Sequence, residues 1–314
     1  MAALDPQDVP TDSLDHTRRG SNRYHAVIPI LTDLEHLQIE LYQGFSVQDV
    51  LEEVEQMVRD RQPSTVTSLI LLGDFNAPLR GASVAEILSA FPRLSSLHIS
   101  SITIAEEVSE ASDGSRTLRA SITALSGLKR LVMEESGGSV LQGLQLSAGL
   151  EELDVRNCSR FDLASLRTLA MQARASLTTL TFISPAETSP FFPAFQLPHL
   201  STLNIDAPLP FFVLSGFSSS PLRTIRCSRL HPEITDEDDE DFAALEQVME
   251  ENRASLKGLE VRLPETKEGD EYVWINEEAW ERVSASCQRR GVQLKLGGQW
   301  WEQRPVVRER NHEI

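Results

Sequence analysis

Apolar residues recur along the chain in one spacing: a leucine or similar residue, two residues, a second apolar residue, one residue, and a third. The last two positions are two residues apart, so they point to the same face of a short strand. Such a strand cannot bury its apolar face alone, but neighbours stacked in a parallel sheet form one continuous core. The copies are Leu34-Leu37-Ile39, Val66-Leu69-Leu71, Leu94-Leu97-Ile99, Leu128-Leu131-Met133, Leu150-Leu153-Val155, Leu177-Leu180-Phe182, Leu200-Leu203-Ile205, Leu222-Ile225-Cys227 and Leu256-Leu259-Val261, followed by a less complete strand, Val292-Leu294-Leu296.

Between these strands, apolar residues fall on helical stripes with a spacing of three and four residues. Ser83 followed by Glu86 predicts a capping box, and Asp162 and Asn276 predict helix N-termini. Strands that alternate with helices predict an α/β protein whose helices lie outside a parallel sheet. The stripes are Val47, Val50, Leu51, Val54, Met57 and Val58; Val84, Ile87, Leu88 and Phe91; Leu163, Leu166, Leu169, Ala170 and Ala173; Phe242, Leu245, Val248 and Met249; and Trp280, Val283 and Cys287.

The stretch from residue 177 to residue 222 is predicted to differ, because six prolines interrupt it. Proline removes a backbone donor and disfavours a long helix, so turns or single helical turns are expected here. The prolines are Pro185, Pro190, Pro193, Pro198, Pro208 and Pro210.

The repeated spacing resembles that of leucine-rich-repeat proteins with ribonuclease-inhibitor-like horseshoes, above all the repeat region of fungal F-box proteins. Cys158 stands where the leucine-rich pattern has Asn or Cys. The steps vary from 22 residues (Leu128 to Leu150) to 34 (Leu222 to Leu256), so the repeats are irregular. The resemblance implies a solenoid with a curved parallel sheet of about nine to ten repeats.

The predicted organisation is an irregular N-terminal segment over 1–30, a solenoid with its C-terminal cap over 31–299, and a tail over 300–314. The segment before Leu34 has no apolar helical stripe, so no F-box is recognisable in it. The family resemblance nevertheless implies one alternative function, that of a substrate receptor or adaptor in ubiquitin ligation with ubiquitin-ligase components as partners.

The net charge is −18 at pH 7, which repels nucleic-acid phosphate and anionic lipid. No apolar run is long enough for a membrane helix, and the N-terminus has no secretory signal pattern. Three widely spaced cysteines indicate buried thiols in a reducing compartment. We therefore expect a cytoplasmic or nuclear protein that binds neither nucleic acid nor membrane.

Catalytic motifs are absent from the sequence, which contains no GxSxG, Walker loop, HExxH or CxxC. The expectation is therefore a non-enzymatic protein without a metal or cofactor, which binds another protein. A GTPase-activating leucine-rich-repeat protein is a third hypothesis, although that family carries an acidic C-terminal tail and this chain has Arg304, Arg308 and Arg310 there.

The positions between the core residues are predicted to point outward and to form the concave face of the sheet. Solenoids bind partners on such extended faces, and a solvated face without a specific ligand is the alternative interpretation. The candidate groove has apolar anchors at Ile70, Leu72 and Val132, with His98 in the same row and charged selectors at Asp154, Arg156, Arg226 and Arg262.

Three further clusters have both a structural and a functional interpretation. The acidic run is predicted to be an exposed loop before a helix, or a docking site for a basic segment: Glu233, Asp236, Glu237, Asp238, Asp239, Glu240 and Asp241. Six phenylalanines are predicted to fill the core, with a binding patch as the alternative: Phe191, Phe192, Phe195, Phe211, Phe212 and Phe217. Four tryptophans are predicted to cap the C-terminal end of the core: Trp274, Trp280, Trp300 and Trp301.

Overall fold

In the computed structural model of the chain, ten strands lie side by side in the order in which they occur in the sequence. Every neighbouring pair is parallel, and the sheet is open, with β1 at one end and β10 at the other. The strands are β1 (His36–Leu41), β2 (Ser68–Gly73), β3 (Ser96–Ser100), β4 (Arg130–Glu134), β5 (Glu152–Arg156), β6 (Thr179–Ile183), β7 (Thr202–Ala207), β8 (Thr224–Arg229), β9 (Gly258–Arg262) and β10 (Gln293–Gly297).

The structure describes residues 35–41, 66–73, 81–101, 113–137, 140–184, 194–207, 210–229, 237–262 and 277–297. All of them belong to one compact unit, Glu35–Ile314. The predicted N-terminal segment 1–30, the helix over 47–58 and the tail 300–314 lie outside these ranges. Within them, no helix is long and apolar enough to cross a membrane.

The strands pair in the register that the apolar spacing predicts. Leu97 aligns with Leu131, and Leu131 aligns with Leu153, so that equivalent core residues lie side by side across the sheet. These leucines are fully buried, as are the leading residues Leu94 and Leu150. The apolar triplets of β2 to β9 therefore lie in one continuous core along a parallel sheet, as the spacing predicts.

Six helices lie within the described ranges, and their bounds test the predicted stripes. The apolar stripes that begin at Val84 and Leu163 are confirmed as buried helix faces. Asp162 is confirmed as an N-cap, since its Oδ1 accepts a hydrogen bond of 2.8 Å from the backbone N–H of Ser165. The helices are α1 (Gly81–Ser89), α2 (Asp113–Ala124), α3 (Leu163–Gln172), α4 (Pro210–Ser215), α5 (Glu237–Glu251) and α6 (Glu277–Arg290).

Two details of the helix prediction are wrong. Helix α1 begins at Gly81, so Ser83 lies inside its first turn and is not the N-cap. Helix α2 was not predicted, because only Leu118 and Ile122 are buried in the part whose side chains are described, which is too few for a visible stripe. The six-residue helix α4 begins at Pro210 and agrees with the expectation of single helical turns in the proline-rich stretch.

At the N-terminal ends of the strands, one carbonyl group accepts two backbone N–H groups from the next strand. The carbonyl of Glu151 accepts from Thr178 at 2.9 Å and from Thr179 at 3.1 Å. The same arrangement joins each consecutive pair from β1 to β9. Hydroxyl side chains reinforce it, since Ser95, Thr178 and Ser201 each donate to the carbonyl on the preceding strand. We call this continuous series the carbonyl ladder.

At the opposite ends of the strands, the chain turns sharply at equivalent positions. The residues that follow β3, β4 and β5 are Ser101, Glu135 and Asn157, and all three have φ near +50°. This left-handed conformation is uncommon outside glycine, and asparagine adopts it more readily than most residues because its short polar side chain can form local hydrogen bonds. Each strand in this part of the sheet therefore ends with the same change of direction.

One residue further along, Ser136 and Cys158 occupy equivalent buried positions after β4 and β5. The Cys158 thiol donates to the carbonyl of Arg156 at 3.5 Å, and the Ser136 hydroxyl donates to that of Glu134 at 2.8 Å. Burial raises the pKa of the Cys158 thiol to about 11. Cys158 is thus a structural donor, and serine performs the same role in the neighbouring turn.

Candidate partner-binding face

The residues that alternate with the core positions form three aligned rows on the other side of the sheet. The register confirms that the predicted outward positions of neighbouring strands align, and two of the rows contain the candidate groove residues. The central row contains Gln38, Ile70, His98, Val132, Asp154, Thr181, Asn204, Arg226 and Glu260. The row at the C-terminal ends contains Glu40, Leu72, Ser100, Glu134, Arg156, Ile183, Asp206, Ser228 and Arg262.

The interpretation of Val132 as an exposed apolar anchor is wrong, because only 3% of the residue is accessible. Its strand neighbours are His98 on β3 and Asp154 on β5, and the longer Arg130 and Glu134 flank it on β4. A short side chain among larger ones on a closely spaced sheet loses its access to solvent. Ile70 and Leu72 on β2 are half-buried, so they keep an accessible apolar surface.

Asp154 is also buried on this face, with 3% of its side chain accessible. Arg156, two residues further along the same strand, donates to both of its carboxylate oxygens, from Nε at 2.8 Å and from Nη2 at 2.7 Å. The hydrogen bond to Asp154 is the main reason why the pKa of Arg156 is raised, and Glu134 and Asp206 raise it further. The two predicted selectors therefore form one bidentate ion pair.

His98 lies beside the carboxylate of Glu134, which is on the next strand and one position further towards the C-terminal ends. His98 Nε2 is 3.4 Å from Glu134 Oε2, yet this nitrogen is shielded from solvent and makes no hydrogen bond. About a quarter of the histidine side chain is accessible (27%), so the imidazole itself remains part of the surface. The predicted site residue His98 thus lies next to an acidic group.

Towards the C-terminal half of the sheet, the face carries further polar pairs. Arg226 Nε lies 3.2 Å from Glu260 Oε2 across β8 and β9. The Asn204 amide donates to the Thr181 hydroxyl at 2.8 Å, while its Oδ1 is shielded from solvent and has no hydrogen-bond partner. Arg262 occupies its predicted position on β9, but its side chain lies outside the part that the structure describes.

At the N-terminal ends of the strands, two exposed ion pairs join β4 and β5. Lys129 Nζ is 2.9 Å from Glu151 Oε1, and Arg130 Nε is 3.0 Å from Glu152 Oε1. These pairs are accessible and each contributes little to stability. At the starts of β4 and β5, each basic side chain is therefore paired with an acidic one.

The acidic run is not a continuous loop, because residues Glu237 to Asp241 form the first turn of α5. Acidic groups in a first turn suit the positive end of the helix dipole, which gives the physical reason for this placement. Glu233 and Asp236 lie outside the described residues. The same holds for the side chains of Asp238, Asp239 and Glu240.

The described phenylalanines confirm the prediction of core filling. Phe195 and Phe217 are buried and stacked, with ring centroids 4.1 Å apart. Phe211 is also buried, and Phe212 is half-buried. Phe191, Phe192 and the tryptophan side chains belong to the parts of the chain that the structure does not describe.

Two residues that were not among the predicted site residues lie on the accessible part of the face beside Arg156. Glu134 and Ile183 are both half-buried and flank Arg156 in the same row. Their register positions were available from the apolar spacing, but the charge pairing that makes Glu134 a neighbour of His98 was not. Among the described residues, no group of three or more His, Cys, Asp or Glu side chains could hold a metal ion.

Comparison with known proteins identifies a structural likeness only. No protein-family model matches the chain, and no curated protein matches it. A solved structure with similar architecture is a Bacteroides fragilis protein determined by the Northeast Structural Genomics Consortium, with 15% sequence identity and a TM-score of 0.48. The alignment covers 85% of this chain and 66% of that protein, so the chain spans just under two thirds of its length.

Proposed function

We propose that the chain is a leucine-rich-repeat solenoid that binds a protein partner through the open face of its sheet and catalyses no reaction of its own. The observation that carries this proposal is the three-row face, which runs in register across ten strands. Most of its described side chains are exposed or half-buried, whereas the alternate positions of β2 to β9 are buried. A long, aligned and accessible face suits an extended contact with another macromolecule.

The ion pairs on the face support the same proposal, because they hold long side chains in fixed positions. Arg156 is clamped to Asp154, and Arg226 lies against Glu260. Side chains that are already ordered lose less conformational entropy when a partner binds. The adaptor and GTPase-activator alternatives rest on resemblance alone, and no contact among the described residues bears on them.

Affinity purification from the native cell with three forms of the chain tests this proposal. Leu72→Glu introduces a charge on the accessible apolar part of the face, which would be buried without a partner in the complex. Ala164→Glu introduces the same charge at an exposed position of α3 and serves as the matched control. We expect one partner to be retained by the wild-type chain and by Ala164→Glu, and to be lost from Leu72→Glu.

Circular dichroism must show that all three forms are equally folded before the comparison counts. A partner that binds Leu72→Glu as tightly as the wild-type chain would place the contact away from β2 and contradict the assignment of Ile70 and Leu72 as its apolar anchors. A reaction catalysed by the purified wild-type chain would contradict the second part of the proposal, which is that the chain has no catalytic activity of its own.

A further inference from the structure

The edge of the sheet at which the strands begin is basic, although the whole chain has a net charge of −18 at pH 7. The described residues that lead into the ten strands include six Lys or Arg and two Glu, which is an excess of four positive charges. The last four residues of the helices add three Glu and two Arg, so most of that excess remains. The six are Arg93, Lys129, Arg174, Arg223, Arg253 and Lys257, the two are Glu35 and Glu151, and the residues counted are 35, 66–67, 90–95, 125–129, 140–151, 173–178, 194–201, 216–223, 252–257 and 291–292.

Most of the basic side chains at this edge have no partner within the described part of the chain. Elsewhere in that part, most basic side chains are bonded to an acidic group or to a backbone carbonyl, as Arg226 is to Glu260. Arg253 is exposed and lies 3.8 Å from Glu250. Six described Lys and Arg side chains have neither a hydrogen bond nor an ion pair, and five of them belong to this edge or to the helix turn beside it. The five are Arg93, Arg174, Arg223, Lys257 and Arg289, and the sixth is Lys295 on β10.

Arg223 and Lys257 are neighbours in the carbonyl ladder. The backbone N–H of Lys257 donates to the carbonyl of Arg223 at 2.8 Å, and both side chains are exposed. Arg253 precedes Lys257 by four residues, and Arg174 precedes the ladder residue Thr178 by the same number. We use the name basic edge for the cations that lead into β6, β8, β9 and β10, which are Arg174, Arg223, Arg253, Lys257 and Arg289.

Favourable interactions with helix C-termini do not account for the basic edge. A cation stabilises the last turn of a helix, and Arg289 lies in that of α6. The last turns of α3 and α5 contain no basic residue, and the two neighbours in the ladder lie directly before strands. The carboxylates at the end of α5 are already bonded, since Glu250 accepts from Arg290 and Glu251 accepts from Gln247.

The residues beside Arg223 and Lys257 have shorter side chains, so the two charged groups extend past their neighbours. Ser201 precedes Arg223 in the ladder, and its carbonyl accepts from the Arg223 N–H at 2.8 Å. Pro221 and Ala254, in the turns before the two strands, are exposed. Because the ladder fixes the backbone here, a ligand would order only the side chains when it binds.

An anionic ligand of limited length fits this arrangement best. At physiological ionic strength charges are screened over about 8 Å, so a short acidic segment responds mainly to the cations that it contacts. A longer polyanion such as nucleic acid would also meet the rest of the chain, whose charge is strongly negative, and would be repelled there. An acidic polypeptide segment is therefore favoured over nucleic acid.

On the basis of the proposed function, we infer that the partner presents an acidic segment to the basic edge, next to its contact with the open face. Thr224 and Gly258, the first face residues of β8 and β9, directly follow Arg223 and Lys257, so one partner reaches both surfaces. Three strand spacings separate β6 from β9, a distance of roughly 14 Å that an extended chain covers with about four residues. Carboxylates of the segment contact Arg223 and Lys257, and the other cations of the basic edge contact its ends.

Fluorescently labelled decapeptides test the inference on the full chain. Three probes share a serine at every second position and carry glutamate, glutamine or lysine between the serines. Binding is measured by anisotropy at about 0.15 M salt, where attraction over long distances is screened. We expect the glutamate peptide to bind, and the glutamine and lysine peptides to bind much more weakly.

The double variant Arg223→Gln/Lys257→Gln removes two positive charges from the basic edge. Its matched control, Arg93→Gln/Arg167→Gln, removes two from exposed positions outside the basic edge. We expect the edge variant to weaken binding of the glutamate peptide about fivefold or more, and the control to change it less than about twofold. Circular dichroism checks that both variants are folded, and equal weakening by the two would show a general effect of charge and overturn the inference.

The remaining outcomes separate the inference from the proposed function. Failure of the glutamate peptide to bind, or equally tight binding of the glutamine peptide, overturns the inference. A labelled single-stranded DNA decamer that binds more tightly than the glutamate peptide, and loses affinity in the edge variant, would assign the basic edge to nucleic acid and also overturn it. None of these results touches the open face, which is tested with the native partner and Leu72→Glu. Conversely, a glutamate peptide that binds at the basic edge supports the inference even when the native partner is not recovered.

Discussion

Arg156 holds the buried carboxylate of Asp154 with two hydrogen bonds, although the two residues lie only one position apart on the same face of the same strand. The acid is almost fully buried and the base is 40% accessible. The pair is therefore one-sided, because Asp154 depends on Arg156 for its solvation far more than Arg156 depends on Asp154.

Removal of Arg156 should consequently destabilise the chain more than removal of the Asp154 charge. We expect Arg156→Ala to lower the free energy of unfolding by about 2–3 kcal/mol, since it leaves a buried carboxylate unpaired next to solvent. Asp154→Asn keeps the shape and should cost less. Urea unfolding of both single variants and of the double variant measures the interaction energy between Arg156 and Asp154. Losses of stability that simply add in the double variant would contradict a direct interaction between the two residues.

Leu153 lies in the middle of the continuous core and is fully buried. Leu153→Ala should lower the free energy of unfolding by about 2–5 kcal/mol through lost burial and the cavity that remains. Leu37→Ala in β1 is the matched control, because Leu37 is half-buried and should cost less. Denaturant midpoints compare the two, and an equal or smaller loss at Leu153 would mean that the register is wrong.

Asp162 caps α3 by accepting a hydrogen bond from the Ser165 backbone, and this bond lowers the pKa of its carboxyl group. Asp162→Ala should cost about 1 kcal/mol at pH 7, and Asp162→Asn should cost less because asparagine also caps. A lowered carboxyl pKa stabilises the folded state above about pH 4. The stability difference between wild type and Asp162→Asn should therefore shrink as pH falls, which thermal unfolding at pH 7 and pH 3 would measure.

The Cys158 thiol has a pKa of about 11, because burial penalises its thiolate. The folded chain keeps this proton over a pH range in which the unfolded chain, with a pKa near 9, has lost it. The stabilising contribution is therefore complete below about pH 9 and falls as pH rises to about 11. Cys158→Ser keeps a donor of the same kind and has no thiol to ionise.

Urea midpoints of wild type and Cys158→Ser, measured from pH 8 to pH 11, isolate that contribution from the other titrating groups. The wild type should lose stability relative to Cys158→Ser over this range. A constant difference would show that the thiol is accessible or that its thiolate is stabilised in the fold.

Most of the sheet could be predicted, because the pattern that determines each strand lies within a few consecutive residues. Each triplet alternates with polar residues in the two-residue period of a strand, and a shift by one residue would expose Leu69 or Leu97. Helix α2 could not be predicted, since its sequence includes Gly114, Ser115 and Thr117, which favour helices only weakly. Tertiary packing of Leu118 and Ile122 outweighs that weak preference.

The candidate face could be predicted in position but not in exposure. The register of Val132 follows from its own strand, whereas its burial depends on neighbours that a single segment does not contain. The bidentate pair of Arg156 with Asp154 could not be predicted either, because two residues at that spacing share a face of the strand but need not contact each other. Side-chain pairing across and along the sheet is a tertiary property.

The carbonyl ladder has a consequence for how this chain can change over evolutionary time. Each rung of the ladder, in which two backbone N–H groups donate to one carbonyl, is formed by residues at the start of a strand. It forms whatever the length of the chain between that strand and the preceding one. The rung that joins β4 to β5 follows a step of 22 residues, and the rung that joins β8 to β9 follows a step of 34. Insertions and deletions between strands can therefore accumulate in the connecting segments while the spacing of the rows on the face is inherited unchanged.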